Sequence, residues 1–124
     1  MTEVDPRLAE LSARYRASLT NKRASVELAW RSFCTDAADR HNWLDLMRVL
    51  HRLAGSAPSY GYERIGALAS KAEARLGHAG SSLDSAMAAR AVQSMVEDLE
   101  PMVASLLDAL GAEIVVEPAR TRAG

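Results

Sequence analysis

A chain of 124 residues can form one domain with its own core, and its 48% hydrophobic but only 5% aromatic residues suit packed helices better than sheets. Its 15 basic and 16 acidic residues nearly cancel, so nothing points to nucleic acid or an anionic membrane as a partner. No apolar run approaches the roughly 18 residues of a membrane span, and the acidic N-terminus lacks the apolar core of a signal peptide, so we expect a cytoplasmic protein.

The N-terminal third of the chain predicts one or two helices. Asp5 can cap a helix that begins with Pro6, because proline at the first helical position gives up no hydrogen bond. Apolar residues then recur at helical spacing and predict about four turns that bury Leu8, Leu11, Tyr15 and Leu19. After a weak break at 20–21, a second stretch buries Val26, Trp30 and Phe33. The pattern leaves open whether these are two helices or one bent helix.

The next predicted helix leads into the most informative stretch, Val49 to Tyr62, which reads V-L-H-R-L-A-G-S-A-P-S-Y-G-Y. The motif Asn42-x-x-Asp45 can cap this helix. Its buried face is predicted to consist of Leu46, Leu50, Leu53 and Ala57. At about 100° per residue, His51 lies more than about 90° from the centre of that face, so it is predicted to face solvent.

Two small residues follow His51 on this helix. Gly55 needs an explanation, because glycine inside a helix costs about 1 kcal/mol relative to alanine. Helical side chains lean toward the N-terminus, so Ala54 and Gly55 are the residues that would cover His51. Their small size leaves the imidazole open, as a nucleophile requires when its reaction partner is another protein. The plainer interpretation is a surface histidine beside a helix-weakening glycine.

A turn and a third helix should follow. Pro58 is expected to bend or end the His51 helix, and Gly61 can adopt a left-handed turn. The next helix is predicted from about Tyr62 to Leu76, with Gly77 as its end.

The last predicted helix begins at Ser81 or Ser82 and ends at Gly111. Residues 118–124 have no apolar pattern and are expected to form a disordered tail. The predicted fold is therefore an all-α, antiparallel four-helix bundle with an additional N-terminal helix, forming one domain over residues 1–117.

The stretch around His51 resembles the motif of the histidine phosphotransfer (HPt) domain family. That motif has a histidine, a small residue or lysine at i+3, glycine at i+4, and a second glycine at i+10, here His51, Ala54, Gly55 and Gly61. Ser56 and Ala57 also fit, and Glu73 stands where the family usually has glutamine or glutamate. The resemblance implies a phosphoryl group accepted on His51, with Glu73 holding the imidazole in orientation. Without it, Glu73 reads as an ordinary solvated charge.

The resemblance also implies the partners. The chain has no Walker-type nucleotide-binding motif, so an ATP-dependent kinase activity of its own is not expected. Phosphate would come from the aspartate of a response-regulator receiver domain or from a hybrid or sensor histidine kinase. The Mg²⁺ that neutralises charge during transfer would belong to the receiver, so no cofactor and no metal site is expected here. His41, His78 and Cys34 lack metal-ligand spacing, and Cys34 is expected to be a buried thiol.

The chain departs from many family members at position 54, where Ala54 replaces a lysine that sits beside the phosphate. The phosphoryl group is therefore expected to be weakly held. Leu44, Met47 and Pro58 surround His51, with Arg48 close by, and we interpret them as a receiver-docking surface. Incidental surface apolarity is the alternative.

Two other functions fit part of the pattern. A noncatalytic helical adaptor would dock receiver domains without transferring phosphate. The dimerising helices of a sensor kinase would carry a carboxylate just after the histidine and a proline close behind, whereas this chain has Arg52 and a later Pro58. Four amphipathic segments in one chain favour a monomeric bundle over a dimer of hairpins.

Overall fold

The structure, a computed structural model, describes residues 6–80 and 85–121. Within these ranges it contains no strand and has four α-helices: α1 (Pro6–Thr35), α2 (Arg40–Ser56), α3 (Glu63–Gly80) and α4 (Ser85–Thr121). A short 3₁₀ turn, Ala57–Tyr60, joins α2 to α3. Helix α1 packs against α2 and α4, and α3 packs against the same two helices, so the four helices enclose one core. The predicted all-α fold is confirmed.

The core is formed by one apolar stripe from each helix. Its fully buried side chains are spaced three, four or seven residues apart, which is the helical period that the sequence shows. Among the residues whose side chains the structure describes, no charged or polar residue is buried. Each large apolar side chain removed from water in this way contributes about 1.5–3 kcal/mol to folding. The largest of them are Leu19, Phe33, Leu46, Leu50, Leu76, Met95, Leu99, Leu106 and Leu110.

Helix α1 is continuous across positions 20–21, and the described residues contain no separate additional N-terminal helix. The expected burial of Leu8 and Leu11 was wrong, because these side chains are 59% and 44% exposed. They are exposed because α2 ends beside Tyr15. The Tyr15 hydroxyl is 2.7 Å from the hydroxyl of Ser56, the last residue of α2. The part of α1 before Tyr15 therefore extends past the end of α2.

The α1–α2 connection is held by side chains other than those expected. Asp39 caps α2, since its carboxylate accepts a hydrogen bond from the backbone N–H of His41 at 2.8 Å. Asn42 was expected as the cap, but its side-chain amide donates to the carbonyl oxygens of Ser32 and Asp36, each at 3.1 Å. Asn42 thus satisfies carbonyl groups at the end of α1.

The turn between α2 and α3 follows the sequence prediction. Helix α2 ends at Ser56, and Gly61 closes the 3₁₀ turn around Pro58 with a left-handed φ of 91°. Tyr60, just before that glycine, stacks on Tyr15 of α1 with ring centroids 4.2 Å apart. Tyr62, just after that glycine, also stacks on Tyr15, with ring centroids 5.8 Å apart. Helix α1 therefore fixes the position of the connection.

Two predicted helix ends were wrong. Helix α3 continues past Gly77 to Gly80, and α4 continues past Gly111 to Thr121. Both glycines instead allow close packing: a Cβ at Gly77 would lie 3.4 Å from Cε of Met47, and one at Gly111 would lie 3.4 Å from Nε of Arg23. The predicted start at 81–82 and positions 122–124 of the predicted tail lie outside the described residues. Helix α4 crosses the proposed domain boundary at 117.

Candidate functional site

His51 lies in the last two turns of α2 on a side of the helix that does not contact the core. Its neighbours Leu50 and Leu53 are buried, whereas the His51 side chain is 77% exposed. This is where the helical spacing of the sequence places it. The imidazole is therefore held on a rigid element and remains accessible to another molecule.

One ring nitrogen of His51 is occupied by a carboxylate from the neighbouring helix. Nδ1 lies 2.7 Å from Oε2 of Glu73 on α3, and the Glu73 side chain is 23% exposed. An ionised carboxylate can only accept a hydrogen bond, so in this contact Nδ1 carries the hydrogen. In the neutral imidazole the lone pair then lies on Nε2, which makes no hydrogen bond within the described residues. The structure thus brings together the two residues that sequence analysis selected for catalysis.

The position of Glu73 depends on how closely α3 approaches α2. A Cβ added at Gly66, two helical turns before Glu73, would lie 2.4 Å from Cγ of Pro58 and 3.5 Å from the carbonyl oxygen of Ala54. Only glycine permits this approach, because the atoms of the proline ring cannot turn away. Sequence reasoning did not assign Gly66 to the site; the available signal was a glycine inside an otherwise regular helical pattern.

The two small residues that follow His51 differ in their surroundings. Gly55 is exposed, and a Cβ added there would meet no atom within 4 Å. Packing therefore gives no reason for glycine at this position. Ala54 is half-buried and packs against the edge of the core.

The proposed docking residues lie on the same side of the bundle but are not equally accessible. Leu44 is 38% exposed, Arg48 and Pro58 are exposed, and Met47 is half-buried against the core. Nη1 of Arg48 lies 3.5 Å from Oδ1 of Asp45, one turn earlier on α2. No basic side chain makes a hydrogen bond or ion pair with His51 within the described residues.

The remaining candidates do not form a second site. Cys34 is exposed, so the expected buried thiol was wrong. Nε2 of His41 lies 3.3 Å from Oδ2 of Asp45 on the same helix. The side chain of His78 is not among those that the structure describes. Within the described ranges no three histidine, cysteine, aspartate or glutamate side chains are grouped as a metal site would require. None of the described helices combines the length and apolarity needed to cross a membrane.

Comparison with known families identifies the domain to which these residues belong. Residues 7–113, a range that contains His51, Gly55 and Glu73, match the sequence model of the Hpt domain. Searches of curated proteins and of solved structures gave no significant match. Hpt domains carry out histidine phosphotransfer in two-component signalling. The match covers most of the chain, and the chain belongs to the Hpt domain family.

Proposed function

We propose that this protein is a phosphorelay intermediate that accepts a phosphoryl group on His51 and exchanges it with the aspartate of a receiver domain. The observation that supports the proposal is the exposed imidazole with Nδ1 bound to Glu73 and Nε2 free. A neutral imidazole with one nitrogen held as a donor has a defined tautomer, and its other nitrogen has the lone pair required for attack.

The transfer step follows from that arrangement. The Nε2 lone pair attacks phosphorus, the bond from phosphorus to the aspartyl oxygen breaks, and the receiver carboxylate leaves with that electron pair. The phosphorylated ring is a cation while Nδ1 keeps its hydrogen, and the Glu73 carboxylate stabilises it at 2.7 Å. In the reverse direction the aspartate attacks phosphorus and the imidazole leaves. We expect the Mg²⁺ that balances the phosphoryl charge to be held by the receiver.

The surface around His51 suits such a partner. Leu44, Pro58 and the partly buried Met47 provide apolar contact area, and Arg48, which pairs with Asp45, adds a charged side chain at its edge. Apolar contacts at the centre with charges at the rim are typical of protein interfaces. We propose that the receiver docks here on a monomeric bundle in the cytoplasm, and that a hybrid or sensor kinase supplies the phosphate upstream.

A noncatalytic adaptor that docks receivers is the second candidate function. The observation that favours it is Ala54, since no basic side chain of the described residues binds the His51 ring. An adaptor would need the docking surface but neither the free nitrogen of His51 nor its contact with Glu73.

The proposal is tested by incubating the protein with receiver domains that carry a radiolabelled aspartyl phosphate. We expect label to move to this chain and to be labile in acid but stable in alkali, as a phosphohistidine is. The His51→Gln variant should take up no label and should unfold at nearly the same temperature, because substitutions at exposed positions change stability by less than about 0.5 kcal/mol.

The same experiment separates the two functions. If receivers bind the wild-type protein but no label reaches it, the adaptor is correct and phosphotransfer is not. If His51→Gln takes up as much label as the wild type, another residue is the acceptor.

A further inference from the structure

A groove of about 700 Å³ runs between α1 and α2, on the flank of α2 away from Glu73. Its floor is apolar and consists of Val26, Val49 and Leu53. The stacked rings of Tyr15 and Tyr60 form part of its wall. The volume lies within the range of small-molecule sites, and an apolar floor with an aromatic wall is typical of them.

The polar part of the groove carries only positive charge. Lys22 and Arg52 line it from opposite helices, and no aspartate or glutamate is among the residues that line it. Lys22 donates to the hydroxyl of Ser18 at 2.9 Å and its ammonium lies 4.6 Å from the centroid of the Tyr15 ring, so it retains further N–H groups. Arg52 makes no hydrogen bond or ion pair within the described residues. The whole chain has a net charge of −1, so the positive charge of this groove is a local feature.

Neutral hydrogen-bonding groups complete the lining. Asn21 and Ser25 of α1 and Ser56 of α2 border the groove. Together with Lys22 and Arg52 they present donors above an apolar floor, which is the complement of a molecule with an anionic group on an apolar body.

We propose that the groove between α1 and α2 binds a small organic anion, a carboxylate or phosphate monoester with an aromatic or aliphatic body. Its anionic group accepts hydrogen bonds from Lys22 and Arg52, and its body rests on Val49 and Leu53 beside the ring of Tyr60. The site does not depend on phosphotransfer, since it lies on the other side of α2 from the contact between His51 and Glu73.

The test is a titration of the full chain, labelled with ¹⁵N, with phenyl phosphate and with benzoate, followed by two-dimensional NMR. We expect saturable shifts concentrated in residues 18–26 and 49–60 for one or both probes. Benzyl alcohol lacks the charge and inorganic phosphate lacks the apolar body, so both should bind at least about fivefold more weakly. Saturation by both acids would assign the site to anions in general, and saturation by one would identify the head group.

Three variants test the assignment. Lys22→Gln and Arg52→Gln should each weaken binding by about five- to tenfold, and Asn21→Asp should weaken it as well by placing a carboxylate in the groove. Arg40→Gln and Lys71→Gln remove the same charges from exposed positions outside the groove and should leave binding unchanged. Circular dichroism confirms that each variant is folded. Equal weakening by the two control variants, shifts without saturation, or equal binding of benzyl alcohol would each overturn the proposal.

Discussion

The chemistry of His51 depends on which of its two ring nitrogens is free. Glu73 contacts Nδ1 at 2.7 Å, and under the proposed function this contact makes Nδ1 the donor and leaves Nε2 as the nucleophile. Because the histidine side chain is 77% exposed, its orientation depends on a single partner rather than on packing. We therefore propose that Glu73 is a positioning residue whose effect should appear in the tautomer as well as in the rate.

Replacing Glu73 with alanine should slow phosphoryl uptake by about three- to tenfold, because a hydrogen bond to a charged group is worth about 1.5–3 kcal/mol and less at an exposed site. Glu73→Gln keeps an acceptor oxygen and should be affected less. The initial rate of transfer from a phosphorylated receiver measures the first effect, and ¹⁵N shifts of the His51 ring measure the tautomer. Glu97→Ala, an exposed glutamate on α4, is the matched control. An unchanged tautomer in Glu73→Ala would contradict the positioning role.

Gly55 should be replaceable without harm to the fold but not without harm to transfer. A Cβ added at this position meets no atom within 4 Å, and removing a helical glycine should stabilise α2 by up to about 1 kcal/mol. Gly55→Leu, however, directs a bulky group back over His51. We expect a higher melting temperature together with transfer at least about tenfold slower, since small displacements of reacting groups are costly. Normal transfer in Gly55→Leu would show that the glycine does not serve access to the imidazole.

A lysine introduced at position 54 should strengthen the hold on phosphate. Arg48 pairs with Asp45, and no basic side chain of the described residues binds His51, so we expect a phosphoryl group on His51 to lack a cationic partner among the described residues. Ala54→Lys should raise the phosphorylated fraction at equilibrium by about two- to fivefold, which is the effect expected from the free energy of one exposed ion pair. Added salt should reduce the gain by screening. An equilibrium that does not change would mean that position 54 does not approach the phosphate.

At the scale of the elements, the site depends on the packing of α3 against the turn after α2. Gly66→Ala places a methyl group 2.4 Å from Cγ of Pro58, and we expect a loss of about 1–3 kcal/mol in unfolding free energy. The shift of α3 should also weaken the contact between Glu73 and His51, so transfer should slow as well. Chemical denaturation and the transfer rate measure the two effects.

Pro58→Ala provides the control, because it removes the ring that the new methyl group meets. In combination with Gly66→Ala it should recover part of the stability lost in the single variant. Gly55→Ala is a second control, since an alanine in open space should stabilise rather than destabilise. If Gly66→Ala lowers the unfolding free energy equally with and without the Pro58 ring, contact with that ring is not the cause of the loss.

The elements also show where sequence reasoning succeeds and where it fails. The helical period predicted the helices and the position of His51, because burial follows spacing within one helix. Close approach between helices leaves no such signal in the sequence, so Gly66 was not assigned to the site. Gly77 and Gly111 were predicted to be helix ends, although each of these two lies against a side chain of another helix. The predicted burial of Leu8 and Leu11 was wrong for the same reason: their spacing is helical, but α2 ends before it could cover them. The choice of Glu73 came from the family resemblance.

At the scale of the whole molecule, the bundle supports two separate surfaces on one helix. Helix α2 presents His51 beside α3 and lines the basic groove beside α1, while its buried stripe of Leu46, Leu50 and Leu53 fixes both sides relative to the core. A rigid helix therefore holds the imidazole while leaving the docking surface open to a partner. In the function we propose, the fold supplies position and access, and a receiver domain supplies the metal and the aspartate.

The most direct test of this account is to identify the phosphorylated nitrogen. The protein, labelled with ¹⁵N in its histidines and phosphorylated by a receiver domain, is examined by NMR through coupling between ring nitrogens and phosphorus. We expect a single phosphohistidine at His51 with phosphorus on Nε2, because Glu73 holds Nδ1. Phosphorus on Nδ1 of His51, or on His41 or His78, would contradict it.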